Sequence, residues 1–220
     1  MKTATLGQLK KLLELLDDVP QEQLQAVLGS GLLTDLLRVN VTEVDRSEFR
    51  RVCGFIIFPV WRTLKLGTGL KTADDFRKAV RDCGMKISDW ANDILGKPVF
   101  TVATEETEVD LVKVTVAELG FKEGARRDQI YERAKELGLE LCPSEVGPQL
   151  RLQYKDQPNG EWLLIGMEPI RYSDGGLDVF RVARAGDGRW LDSDYDSGRP
   201  ALVWYAVPQW VFVRPRKYQK

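Results

Sequence analysis

The hydrophobic period changes along this chain, and that change is what most restricts the fold. In the first forty residues apolar side chains return every three or four positions: Leu6, Leu9, Leu13 and Leu16, then Leu24, Val27 and Leu28, then Leu33, Leu36 and Leu37. That spacing gathers them on one stripe of a helix. Beyond Pro158 they come in short blocks, residues 162–167, 177–183, 202–205 and 211–213, separated by Asp174-Gly175-Gly176 and Gly186-Asp187-Gly188. Short blocks between turn sequences are strands. A chain that starts helical and ends in short strands is expected to be α+β, with an antiparallel sheet or small barrel in its last third.

Both patterns occur in between. Residues 55–58 read as a buried strand behind the charged run 43–51. Thr72, with Asp75 three positions on, approximates a capping box, and Phe76, Ala79, Val80 and Cys83 then share a helical face that Gly84 ends. Ser88 opens a second helix, with Trp90, Ala91, Ile94 and Leu95 on its apolar side, and Gly96 and Pro98 close it. The two form a helical hairpin in which Cys83 is a buried structural thiol. The β-branched run 109–117 suits a strand covered on both faces. Ile130, Ala134 and Leu137 mark a helix capped by Gly138, and Pro143, Gly147 and Pro148 punctuate the approach to residues 150–154. Three segments follow from this: a leucine-rich helical segment 1–40, a mixed region 41–103 with the hairpin, and an α+β domain 104–220.

Composition then limits the chemistry. The chain has no histidine, so imidazole-based triads, dyads and proton shuttles are excluded. Its 32 basic and 33 acidic residues leave a formal charge of -1, too little to draw in nucleic acid or an anionic membrane. Cys53, Cys83 and Cys142 are too few and too scattered for a disulfide framework or a metal knuckle, which fits reduced thiols in the cytoplasm. Residues 1–16 lack the apolar core of a signal peptide, and the most apolar stretch, 54–61, is too short to span a bilayer. No export, membrane insertion, metal or cofactor is expected.

Several motifs approach known sites and miss. Gly67-Thr68-Gly69-Leu70-Lys71-Thr72 stands where a phosphate-cradling loop would, but Leu70 replaces its second glycine and Asp74 and Asp75 follow; it reads as a turn and cap. Asp192, Asp194 and Asp196 alternate as in a calcium loop, with the glycine one place late and Val203 where the bidentate glutamate belongs. Glu105, Glu106, Glu108 and Asp110 read as a charged guard beside an aggregation-prone strand.

The β region is more informative. Trp162, Tyr172, Trp190, Trp204, Tyr205 and Trp210 occur there with Arg171, Arg181, Arg184 and Arg189, the mixture found where proteins grip partners or stack on planar ligands. Trp162 and Trp210 flank apolar runs and read as buried; Trp190 and Trp204 read as exposed. The expected binding set is Tyr172, Arg181, Arg189, Trp190, Trp204 and Tyr205. The expected function is a non-enzymatic binding or regulatory protein that holds a protein or small ligand. The alternative is a glycosidase- or transferase-like enzyme working through carboxylates, with Glu168 as the suspect because it follows an apolar strand and precedes Pro169. A nucleic-acid-associated factor would use the basic clusters Lys122, Arg126, Arg127 and Arg214, Arg216, Lys217, Lys220, the second around Tyr218.

Three stretches, KLGTGLKTADDFRKAV (65–80), ISDWANDILGKPVF (87–100) and LELCPSEVGPQLRLQYKDQPNGEWLLIGMEPI (139–170), resemble a group of hypothetical proteins of uncultivated bacteria. The resemblance covers most of residues 61–213. It implies a bacterial, intracellular source and brings no activity, cofactor or site residue with it.

Overall fold

The computed structural model describes residues 5–14, 16, 19–38, 58–193 and 203–216. The chain divides into two compact units, Met1–Phe49 and Arg50–Lys220. The first holds three short helices, α1 (Leu6–Glu14), α2 (Gln21–Gly29) and α3 (Leu32–Arg38). None of its described residues is buried, and Leu6 is 85% exposed.

The second unit is α+β. In chain order it contains β1 (Arg62–Leu66), α4 (Ala73–Asp82), β2 (Lys86–Ile87), α5 (Asp89–Leu95), β3 (Thr107–Thr115), β4 (Ala125–Arg126), α6 (Arg127–Glu136), α7 (Val146–Gln153) and β5 (Trp162–Ile165). Then come β6 (Ile170–Arg171), β7 (Leu177–Asp178), β8 (Phe180–Ala185), β9 (Gly188–Ser193), β10 (Val203–Trp204) and β11 (Gln209–Arg214). Seven strands form one sheet in the order β1-β3-β11-β5-β8-β9-β2. The expected antiparallel pairing holds for four of its ladders, while β11 with β5 and β2 with β9 run parallel, so the sheet is mixed. β11 is the last strand in sequence, yet it lies between β3 and β5.

Helices cover both faces. Phe180 of β8 packs under Gly147 of α7 and, through Phe100, joins Phe76 of α4. On the opposite face Tyr131 of α6 meets Trp210 and Phe212 edge-on. Phe76, Phe180, Trp210 and Phe212 are fully buried. Val112 and Val114 are buried too, as the β-branched run of β3 led us to expect.

The helical hairpin is present, with the Thr72–Asp75 capping box fully formed and Ser88 capping α5. β2 lies between its two helices and adds to the edge of the sheet. Cys83 is exposed and not buried: it keeps the stripe's period but is the C-cap of α4, past Val80, the last buried position of that helix. Cys53 and the run 55–57 lie outside the described residues. The segment from Pro143 to Pro148 is no simple connector: residues 146–153 form α7, which tolerates Pro148 because first-turn amides need no intrahelical acceptor.

Candidate functional site

The sequence-predicted residues separate into three groups. Tyr172 and Trp204 are buried and belong to the core, Tyr172 against Trp90 and Trp204 against Trp210. Tyr205 is 76% exposed just after β10. The remaining residues, Arg181, Arg189 and Trp190, lie on the β8–β9 hairpin, but not on one face of it. Glu168 is exposed beyond β5 and pairs with no acid or arginine among the described residues.

Register explains the division, since alternate residues of a strand face opposite ways. Trp162, Ala183 and Trp190 are direct cross-strand partners on β5, β8 and β9 and form one row. Arg181 opposes Asp192 on the same face and forms an ion pair with it. Trp162, expected to be buried, is 37% exposed here, and the Arg181 guanidinium lies 5.8 Å from its ring centre. The ammonium of Lys86 lies 4.8 Å from the Trp190 ring and 3.0 Å from Asp187. Asp187 also accepts the Trp190 indole N–H at 3.1 Å. Each charge on this face is balanced within the chain.

The other face is not balanced. Arg184 and Arg189 oppose each other directly across the same hairpin, two places back from its turn. Like charges in that position repel. Arg184 donates from Nη1 to the Gln157 carbonyl at 2.6 Å, whereas the Arg189 side chain has no hydrogen bond or ion pair among the described residues, and its Nε is buried. Nearby, Arg151 of α7 is fully buried and donates only to neutral acceptors: Gln157 Oε1 at 2.6 Å, the Tyr154 carbonyl at 2.5 Å and the Ala183 carbonyl at 3.1 Å. Burial, and then the positive charge of Arg189 and Arg184, push Arg151 down to about 10. Three guanidinium groups therefore gather, and none of them has an ion pair with a carboxylate among the described residues.

Arg184 and Arg189, but not the buried Arg151, border an open cleft of about 380 Å³, lined also by Gly84, Asn159, Ala185, Gly186 and Gly188. No acid lines it. A side chain added at Gly84 or Gly186 would meet nothing within 4 Å, so at both positions the backbone itself faces open space. Sequence reasoning named Arg189 for the company it keeps and missed Asn159 and Arg151. Arg184 was legible, because counting outward from the Gly186-Asp187 turn pairs it with Arg189.

Where the motifs that approach known sites fall on described residues, the chain itself engages them. At the Gly67 turn the Glu145 carboxylate, 1% exposed, accepts the amides of Gly67 and Ala103, both at 2.8 Å, and the Gln149 side chain at 2.8 Å. An anion is held there, and it is the protein's own. Glu108 and Asp110 pair with Arg216, and Glu106 with Lys65. Arg126 pairs with Asp128, so both basic clusters are partly neutralised; Lys217, Tyr218 and Lys220 lie outside the described residues. Asp192 is engaged by Arg181, and Asp194 and Asp196 also lie outside them. Among the described residues no group of three acids or thiols could hold a metal ion, and no helix is long and apolar enough to cross a membrane.

Compared with family models, curated proteins and solved structures, the chain matches none.

Proposed function

We propose that this chain is a binding protein that holds an anionic ligand in the cleft between Arg184 and Arg189. The observation behind this reading is the contrast between the two faces of one hairpin: one neutralises every charge, and the other sets two arginines against each other with a third buried nearby. Buried or crowded charge without a counter-charge is costly, and a bound anion removes that cost. The lining favours holding over reacting, because it contains no acid, thiol or phenol to move a proton. This reading keeps the arginine-bearing β surface as the binding element and moves it from the tryptophan face to the α7 face. A bacterial, cytoplasmic setting belongs to the same proposal.

The test is the melting temperature of the full chain in acetate, succinate, sulfate and phosphate at constant ionic strength. The wild type is expected to gain stability in at least one of these relative to chloride, and the Arg184→Gln/Arg189→Gln variant to gain none. Equal responses of the two proteins to every anion would refute the proposal.

A further inference from the structure

We infer that the ligand of this cleft is a small phosphate monoester, its phosphoryl group seated between Arg184 and Arg189. The inference rests on the reading of the cleft as an anion site and narrows it to one chemical class.

Charge is the first argument. A carboxylate brings one negative charge, and its two oxygens are used up by a single arginine fork. A phosphoryl group carries about -1.5 to -2 at neutral pH and presents three acceptor oxygens. Arg184 and Arg189 are separate donors on directly opposed strands, about 5 Å apart at their Cα atoms. They can take different oxygens of a tetrahedral group, whereas a planar carboxylate satisfies one and leaves the other repelled.

The backbone is the second. Gly84 and Gly186 leave the main chain open to the cleft; the Gly84 amide is already donated to the Arg81 carbonyl, so the absent side chain at Gly186 is the one that lets a phosphate approach a backbone amide. Asn159 adds an amide donor at the rim.

Size and surroundings are the third. At about 380 Å³ the cleft lies within the range of small-molecule sites and has room for an organic group beyond the phosphate. A nucleic-acid backbone would need further cations leading away from the site. Lys86, which approaches Gly188 of the lining, is tied to Asp187, and Arg151 is buried.

Calorimetric titration of the full chain with inorganic phosphate, glycerol phosphate, acetate and a short single-stranded oligonucleotide, at one ionic strength, tests this. Inorganic phosphate and glycerol phosphate are expected to bind about tenfold or more tighter than acetate. Arg184→Gln and Arg189→Gln should each lose about tenfold for both phosphate compounds. Gly186→Leu, which fills open space at a position with no positive φ, should weaken glycerol phosphate binding while circular dichroism reports an unchanged fold. If acetate binds as tightly as phosphate, the phosphoryl assignment falls and the anion site stands. If the oligonucleotide binds tighter than glycerol phosphate, the small-molecule assignment falls. If no probe binds the wild type more tightly than the arginine variants, both readings fall.

Discussion

Arg189 faces Arg184 directly across the β8–β9 ladder, and the two arginines beside it allow the cost of that like-charge pairing to be measured. With no anion present, Arg189→Gln removes one of two opposed like charges and breaks no hydrogen bond among the described residues, so urea unfolding should show a gain of up to about 1 kcal/mol. Arg151→Met should do the reverse. It strips the donor from three buried or half-buried acceptors, Gln157 Oε1 and the carbonyls of Tyr154 and Ala183, for a loss of about 2 kcal/mol. Opposite signs for two arginines of one cluster would separate a ligand-facing group from a structural one. The buried phenols make a second case. Tyr131 donates to the Met167 carbonyl, and burial holds its pKa well above the usual tyrosine range; burial and then its hydrogen bond to Glu161 do the same for Tyr154. Unfolded phenols ionise near pH 10. The folded ones keep their protons, so their contribution is complete below that pH and is lost as pH rises further. In a native titration followed by phenolate absorbance, Tyr131 and Tyr154 should ionise only on unfolding. At this scale the sequence was readable for Arg189 and silent for Arg151. In the run Leu150-Arg151-Leu152-Gln153 an arginine looks solvated, and only tertiary packing beneath β8 buries it.

α7 is the element the sequence hid best, and its first turn explains why. Gly147 and Pro148 are loop residues by propensity, yet Gly147 is required by contact: a Cβ there would lie 2.6 Å from three atoms of Phe180. Gly147→Ala should therefore cost about 1–3 kcal/mol in urea unfolding through overpacking. Phe180→Leu alone should also destabilise, by opening a cavity, and the double variant should lose less than the sum of the two single losses. The rest of α7 explains how the sheet ends. Gln153 accepts the Lys65 amide at 3.1 Å and donates to the Lys65 carbonyl at 2.8 Å, while Gln149 donates to the hydroxyl of Thr68, on the turn that follows β1, at 2.8 Å. One side-chain amide thus takes the place of a strand partner for edge strand β1, blunting an edge that would otherwise template pairing. Helices with ordinary caps, such as α4 and α5, were legible because their signals are local. α7 was not, since its glycine answers to a phenylalanine 33 positions away in sequence.

At the scale of the molecule, period and turn chemistry announced which segments are strands but not their neighbours. Nothing local in Gln209–Arg214 says that the last strand lies between β3 and β5, or that it runs parallel to one and antiparallel to the other. That placement is set by what its two faces bury. Trp210 stacks on Phe212 and meets Tyr131 and Trp204 edge-on, while Val211 and Val213 line the opposite side. The strand therefore joins the two parts of the sheet, β1-β3 on one side and β5-β8-β9-β2 on the other. A chain ending at Tyr205 should lose both the mid-sheet ladder and the aromatic centre of the core, leaving β3 and β5 without their shared partner. It should show no cooperative thermal transition, a large apparent radius in size-exclusion chromatography and no response to phosphate. A chain beginning at Arg50 loses three helices whose described side chains are all at least partly exposed. It should unfold in one transition at the same urea midpoint as the full chain and keep the same anion response, because Arg151, Arg184 and Arg189 and every strand that positions them belong to the second unit. A shifted midpoint or a lost anion response in the chain from Arg50 would mean that the first unit supports the site.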